Sequence, residues 1–454
     1  MGDPQGQLVA PRLRIAICGG GISGLTLAVA LSRVPDLDIQ LYEASARFSE
    51  IGAGVMIWFR TWRVLELLGL AEGFAEVAHA RPSSAPGVGF DFRRSDTQGQ
   101  GEPFQLFKLP YGCIRFHRAH FLDVLIAALP PGIAHFHKRL QSFSSPSSFD
   151  VAPTQLTFTD GTTATCDVLV GCDGIKSVVR TGMLLETGLS QLDRPRWSGT
   201  VAYRALVPVE KLLDPRDGTM HPTVNTPMMY CGKSKHVVSY GISRGTVVNI
   251  VAMASQPSLE GTTYDGSWAS ECTREEFLRQ FEGWEDEVGD LLQHVERPTK
   301  WALHELPLLP SYTHGHTVLV GDAAHAMLPH HGAGAGQAIE DAYIIYGIFA
   351  SPSTTRATLR QALQAYDAVR RPRAEVVVRR SREAGRMYES DEGVYGEDYR
   401  KRGEAIAASW GWLWDGGPEE DLERALALSG SDVEAKSGEV NALICNMRRT
   451  QPKE

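Results

Sequence analysis

Nothing in this chain of 454 residues supplies the spacing that a disulfide framework or a zinc knuckle needs. The seven cysteines (Cys18, Cys113, Cys166, Cys172, Cys231, Cys272 and Cys445) are odd in number, scattered, and include no C-x-x-C pair. A reducing compartment, hence the cytoplasm, is expected. An excess of basic charge is missing as well: 45 Lys and Arg stand against 54 Asp and Glu, a formal net charge of -9. That balance disfavours nucleic acid or a membrane surface as a general partner, because both are anionic. Long apolar runs are also scarce. The one near the start, LRIAICGGGISGLTLAVAL, is broken by a glycine cluster and follows a polar, proline-bearing stretch, unlike a signal h-region or a spanning helix. No internal repeat appears. What is present, 43% hydrophobic against 22% charged residues, describes a soluble globular chain able to bury a large core, with two intimately joined domains expected.

The glycine cluster itself sits between RIAICGG, a run apolar enough for a strand buried on both faces, and GISGLTLAVALSRV, apolar at helical spacing. Gly19, Gly21 and Gly24 fill a G-x-G-x-x-G pattern: the first permits the tight turn, the second lets a pyrophosphate approach the backbone, and the third lets helix and strand pack closely. The helix N-terminus attracts the phosphates. A second strand, DIQLYEAS, brings Glu43 nineteen residues after Gly24, the distance at which a carboxylate accepts hydrogen bonds from a ribose diol and disfavours a 2'-phosphate. The loop alone does not separate NAD from FAD.

Two further segments repeat the strand-turn-helix pattern. CDVLVGCDGIKSVVR carries Asp173 and Gly174 at its turn, with Ser177 and Arg180 beyond, and Asp173 as an ordinary N-cap is the simpler reading. TFTDGTTATCDVLV, just before it, reads as a β-hairpin about Asp160-Gly161 that returns the chain to the sheet. VLVGDAAHAMLPHHGAGAGQAIEDA clusters Asp322, His325, His330 and His331, but two adjacent histidines beside a proline do not form a converging ligand set, so no metal site is expected. Small residues there suit a loop pressed flat against a planar ring. Whether one loop histidine faces substrate or both are packing stays open.

Taken in order, GGGISGL, GCDGIKSVVR and GDAAHAMLPHHGAGA resemble the motifs of the FAD-dependent aromatic hydroxylases of the salicylate and p-hydroxybenzoate hydroxylase type, with the fungal salicylate hydroxylase-like and phenol-dearomatising branch most similar. The resemblance runs from about residue 14 to about residue 373. It implies a Rossmann-like α/β FAD-binding domain with a parallel sheet, interleaved with an antiparallel-sheet substrate domain and followed by a helical C-terminal region. The corresponding boundaries are 12–190 and 306–375 for FAD binding, 191–305 mainly for substrate, and 376–454 for the C-terminal region with a loose tail. Within this scheme Glu43 binds the adenosine ribose, Gly52, Ala53 and Gly54 line the flavin, and Arg118 reaches the phosphates. Asp173 and Gly174 serve a second FAD contact and the transient NAD(P)H site. Asp322 holds the ribityl chain, while the backbone from Gly332 through Gly334 to Ala335 faces the flavin's pyrimidine edge.

WSGTVAYRALVPVE and SKHVVSYGISRGTVVNIVAMAS alternate as strands of a half-buried antiparallel sheet do. Read alone, Arg204 is an edge-strand ion-pair residue and Tyr240 a core tyrosine. The resemblance instead implies that both bind a phenolate, with His236 a weaker candidate. It also implies the chemistry: NAD(P)H reduces the flavin, O2 forms a hydroperoxide at flavin C4a, and one oxygen passes to a phenolic or carboxylated aromatic, with decarboxylation or dearomatisation as open variants. A flavin oxidase or dehydrogenase on the same scaffold, or a non-catalytic nucleotide-binding module, are the alternatives. The partners are then small molecules, in a monomer or homodimer. Departures exist: Phe59 and Arg60 replace a common P-N pair, and Gly332-Ala333-Gly334 replaces G-Q-G. Trp58, Phe59 and Trp62 either narrow the pocket or pack a helix. The stretch Arg360 to Tyr388 reads as a basic-faced helix with a kink at Pro372, and SWGWLWDGG as an aromatic anchor on the body or a partner subunit.

Overall fold

The computed structural model describes residues 10–48, 54–144, 152–390 and 398–430. Gly52 and Ala53 lie outside the described residues. The strand Leu13–Cys18 is central in a six-stranded sheet, paired in parallel with Leu37–Tyr42 on one side and Val168–Gly171 on the other. Thr317–Leu319 and Ala134–His135 extend it in parallel, and Thr313–His314 adds an antiparallel edge. Every residue of Val168–Gly171 is buried, as expected of a strand covered on both faces. All ten residues of the helix Ile22–Leu31 are buried as well, so no polar stripe shows in its sequence; it is sandwiched against the helix Gly334–Ala350.

An eight-stranded sheet forms the second layer, in the order Ala269–Glu271, Thr299–Glu305, Arg196–Pro208, Val247–Ser255, Lys235–Ile242, Met228–Gly232, Pro86–Arg94, Glu102–Pro110. Its neighbours are antiparallel except Met228–Gly232 with Pro86–Arg94. The register aligns Arg204 with Val251, Val251 with Val238, and Tyr240 with Asn249, so these side chains share one face. The expected hairpin about Gly161 forms between Thr154–Phe158 and Thr163–Cys166, but in a separate three-stranded sheet; the chain re-enters the parallel sheet only at Val168.

The helix Leu359–Tyr388 runs on through Pro372, where the sequence suggests a kink. Pro372 itself is exposed, and the helix is held on its opposite face by buried Val369 and Arg370 before it and Ala374 and Val377 after it. The aromatic anchor docks on the body: Trp410 is fully buried, stacked on Phe107 at 5.1 Å and on His331 at 4.1 Å, and edge-on to Trp58 at 4.7 Å.

Candidate active site

Along one side of the parallel sheet the glycine turn opens a groove. Gly19 has φ +108°, and a Cβ there would run into the Cys172 carbonyl; one on Gly24 would run into the Gly19 carbonyl. These two glycines are demanded by the protein's own backbone. Gly21 differs, since a Cβ there meets nothing within 4 Å. Its side faces the groove. Glu43, directly after the second strand, reaches back with one carboxylate oxygen to the Gly20 N–H at 2.8 Å, while the other accepts from Ser45 N–H at 2.7 Å.

The second motif folds against the first. The N-cap of helix Val178–Glu186 is Ser177, whose hydroxyl accepts from Arg180 N–H, and not Asp173. Asp173 still serves that helix, its Oδ2 accepting from Val178 and Val179 N–H at 2.8 and 3.2 Å. Its Oδ1 is buried without a partner, and burial raises its pKa. Arg180 donates to the Ala323 carbonyl and to Asp193, which bonds the second motif to the third.

In that third motif the histidines have partners other than a metal. His325 meets Asp341 at 2.6 Å, and the same carboxylate accepts from Gly321 N–H. His331 bonds Ser409 and accepts from Trp412 Nε1, and its carbonyl accepts from Trp58 Nε1 at 2.9 Å. His330 packs 5.3 Å from His236, which is fully buried and bonded to Glu389 at 3.0 Å. Burial holds His330 and His331 at a pKa of about 3. Neither His236, His331 nor Trp58, Phe59 and Trp62 lines the groove, so packing accounts for them.

The groove widens into a cavity of about 570 Å³ between the glycine turns and the antiparallel sheet. Gly19, Gly21, Glu43, Gly54, Arg118, Asp173, Gly174, Arg204, Tyr240, Asp322, Gly334 and Ala335 all line it, although the chain spreads them over more than three hundred residues. Gly24 lies behind the turn. Val238, Val251, Met253 and Leu328 form an apolar wall. Arg204 has its Nε buried without a partner, and its guanidinium lies 4.9 Å from the Trp301 ring. Burial, then the neighbouring cation Arg118, lowers its pKa. Burial pushes the Tyr240 phenol far up instead, against the opposing pull of Arg204.

Sequence reasoning missed three lining or supporting residues. Asn249 accepts from Gly54 N–H at 2.8 Å, tying the sheet to the strand Gly54–Ile57 and leaving its own Nδ2 unpartnered. Its signal was a lone polar residue inside VVNIVAMAS. Lys138, whose Nζ pairs with Asp160 at 2.6 Å, and Arg139 also line the groove; nothing in their local sequence marks them.

A family model described as an FAD binding domain matches residues 12–381. A salicylate hydroxylase of Pseudomonas putida is 40% identical, covering 92% of this chain and 95% of the relative. A 6-methylsalicylate 1-monooxygenase of Aspergillus terreus is 34% identical, covering 97% and 96%. A solved salicylate hydroxylase substrate complex superposes with a TM-score of 0.80 at 33% identity, over 92% of this chain and 98% of that one. The chain belongs to the FAD-dependent aromatic monooxygenases, the salicylate hydroxylase-like family. Its cofactor is FAD.

The residues of this monooxygenase fit that cofactor. Gly21, Gly174 and Gly334 each present a backbone on which a Cβ would meet nothing, forming a cradle open where an extended ligand must lie. Gly334 also starts a seventeen-residue helix whose N-terminal N–H groups favour negative charge. Asp173 Oδ1, Arg204 Nε and Asn249 Nδ2 are buried polar atoms on or beside the walls with no protein partner among the described residues, as expected where a ligand completes the hydrogen bonding.

Proposed function

We propose that this enzyme hydroxylates a small anionic phenolic aromatic of the salicylate class, using NAD(P)H and O2, in the cytoplasm. The observation that carries this reading is the placing of Arg204 and Tyr240 on the same cavity wall, one a half-buried cation with no carboxylate partner among the described residues and the other a phenol that burial keeps protonated. The names of two relatives, a salicylate hydroxylase and a 6-methylsalicylate 1-monooxygenase, support it.

FAD, when bound, supplies the activation of O2 and the delivery of one oxygen atom, the other leaving as water. The protein supplies the rest. Glu43 accepts from the ribose hydroxyls, Arg118 neutralises phosphate, and Asp322 takes the ribityl hydroxyls. Backbone N–H groups at Gly334 and Ala335 favour negative charge on the ring edge. Gly174, beside Asp173, leaves room for the reductant. Arg204, which keeps its proton even when buried, holds the substrate's phenolate or carboxylate oxygen. Tyr240 donates its hydroxyl hydrogen to the same oxygen and is not a base at neutral pH, because burial disfavours its phenolate. A phenolate so held makes its ring carbons ortho and para to oxygen more nucleophilic, and charge developing during transfer is stabilised by the fixed cation. Val238, Val251, Met253 and Leu328 keep water from the reacting carbon.

The test is NADH and NADPH oxidation by the purified yellow protein with salicylate, 6-methylsalicylate and uncharged phenols, with isotopic O2 tracing into product. Oxidation stimulated by the arenecarboxylates and one labelled oxygen in the product is the expected result. Bleaching of the flavin by the aromatic alone would indicate an oxidase or dehydrogenase instead.

A further inference from the structure

Arg204 belongs to two cavities. Beyond it, away from the glycine turns, lies a second space of about 430 Å³ that it shares with Asn249 and Trp301 and that continues to Leu206, Lys211 and Arg297. Gly21 and Gly334, proposed to hold the cofactor, both line the first cavity, so with that cofactor in place a substrate would enter through another wall. Arg204 is the residue standing in that wall.

Its attachment is weak for a charged side chain at such depth. Among the described residues no carboxylate pairs with it and Nε has no hydrogen-bond partner, and its neighbour on the outer side is the Trp301 ring. A cation over an aromatic face is held loosely and can slide, unlike one locked in a bidentate carboxylate bond. Trp301 in turn is fixed, its Nε1 donating to Thr299 Oγ1 at 3.0 Å.

The lining charge of the outer space runs against that of the whole chain. Arg204, Lys211 and Arg297 oppose the single carboxylate Glu296, which pairs with Lys211. His294 adds no charge near neutrality, its pKa lowered by burial and by Lys211. A net anionic protein repels an anionic substrate, and a locally cationic mouth reverses this where it matters.

We infer that the second cavity is an entrance vestibule for an anionic aromatic, with Lys211 and Arg297 drawing it in and Arg204, resting on Trp301, acting as the door to the ring cavity. This rests on the proposed function for the chemistry of its substrate. The door carries its own electrostatic selection: an arenecarboxylate exchanges the tryptophan face for a charge partner on Arg204 as it passes, whereas a neutral phenol offers the guanidinium no such exchange.

The test is stopped-flow binding of salicylate and 6-methylsalicylate to the holoenzyme, followed by flavin absorbance, in the parent, in Lys211→Gln/Arg297→Gln, and in Leu206→Trp, which narrows the vestibule at a side chain that is 39% exposed and so leaves the core alone. In the double variant the association rate should fall about tenfold at low ionic strength and lose most of its salt dependence, the signature of lost steering. Leu206→Trp should slow association of 6-methylsalicylate more than that of salicylate. Parent-like association rates and salt dependence in both variants, with ligand still bound, overturn the vestibule and leave the proposed function intact. Failure of the parent holoenzyme to bind either arenecarboxylate removes the proposed function and the vestibule with it.

Discussion

Two sets of buried charge in this enzyme are built in opposite ways. Between the helices Gly334–Ala350 and Leu359–Tyr388, Arg370 donates to Asp341 at 2.7 Å, Glu340 at 3.0 Å and Gln337 at 2.8 Å, while Arg60 joins Glu340 to Asp421. Burial alone would raise the carboxyl pKa values of Glu340 and Asp341, but the surrounding cations keep both below their usual range. On the cavity wall, among the described residues, Arg204 has no carboxylate and Asp173 keeps one oxygen bare. Saturated pairing marks charge used to hold the protein together; unsaturated pairing marks charge kept for something that arrives.

Removing a member of the saturated set should have the largest effect. Asp341→Ala strips a partner from Arg370, His325 and Gly321 at once, and a loss of about 3–5 kcal/mol in denaturant unfolding is expected. A loss under about 1 kcal/mol would break the distinction drawn above. Arg204→Ala is expected to do the reverse: kcat/KM falls by about 100- to 1000-fold, the scale of one lost charge-stabilising donor, while unfolding stability stays level or rises, because a half-buried charge with an unpartnered Nε has gone. Gly21→Ala sharpens the contrast at a single atom. FAD affinity should drop at least about tenfold, the scale of one charge-assisted hydrogen bond, in fluorescence titration of the apoprotein, with apoprotein stability unchanged; Gly24→Ala should damage both.

The last effect concerns buried groups that carry no charge. His330 and His331 sit at a pKa of about 3 in the fold through burial, against about 6.5 in the unfolded chain. The unfolded state therefore binds more protons below that value, so stability is full above about pH 6.5 and is lost as pH falls, by up to about 1.4 kcal/mol per unit for each histidine. Urea midpoints at pH 7, 6 and 5 measure this. His330→Gln should flatten the slope; an unaltered slope would assign the loss to other groups.

The parts of the site that were legible in the sequence are those whose chemistry is local. A turn that excludes side chains must be glycine, so Gly19 and Gly24 announce themselves, and a strand covered on both faces must be apolar, so the stretches before the first two turns could be read directly. Alternation likewise revealed the strands bearing Arg204 and Tyr240. What depended on register between distant segments was hidden: Asn249 and Gly54 are 195 residues apart, and His236 meets Glu389 across 153. At Pro372, where the missing N–H weakens a helix, tertiary packing carries the helix through. The helix around it reads as basic-faced in sequence, yet Arg370 is fully buried, because its carboxylate partners lie on another helix.

The bond from Arg180 to the Ala323 carbonyl means that the second and third turns are gathered by the polypeptide before any dinucleotide arrives. Less of the flavin's binding free energy then goes into bringing those two turns together. A colourless, flavin-stripped preparation should accordingly stay native and accept synthetic isoalloxazines by simple exchange, opening the oxygen chemistry to replacement cofactors of altered redox potential.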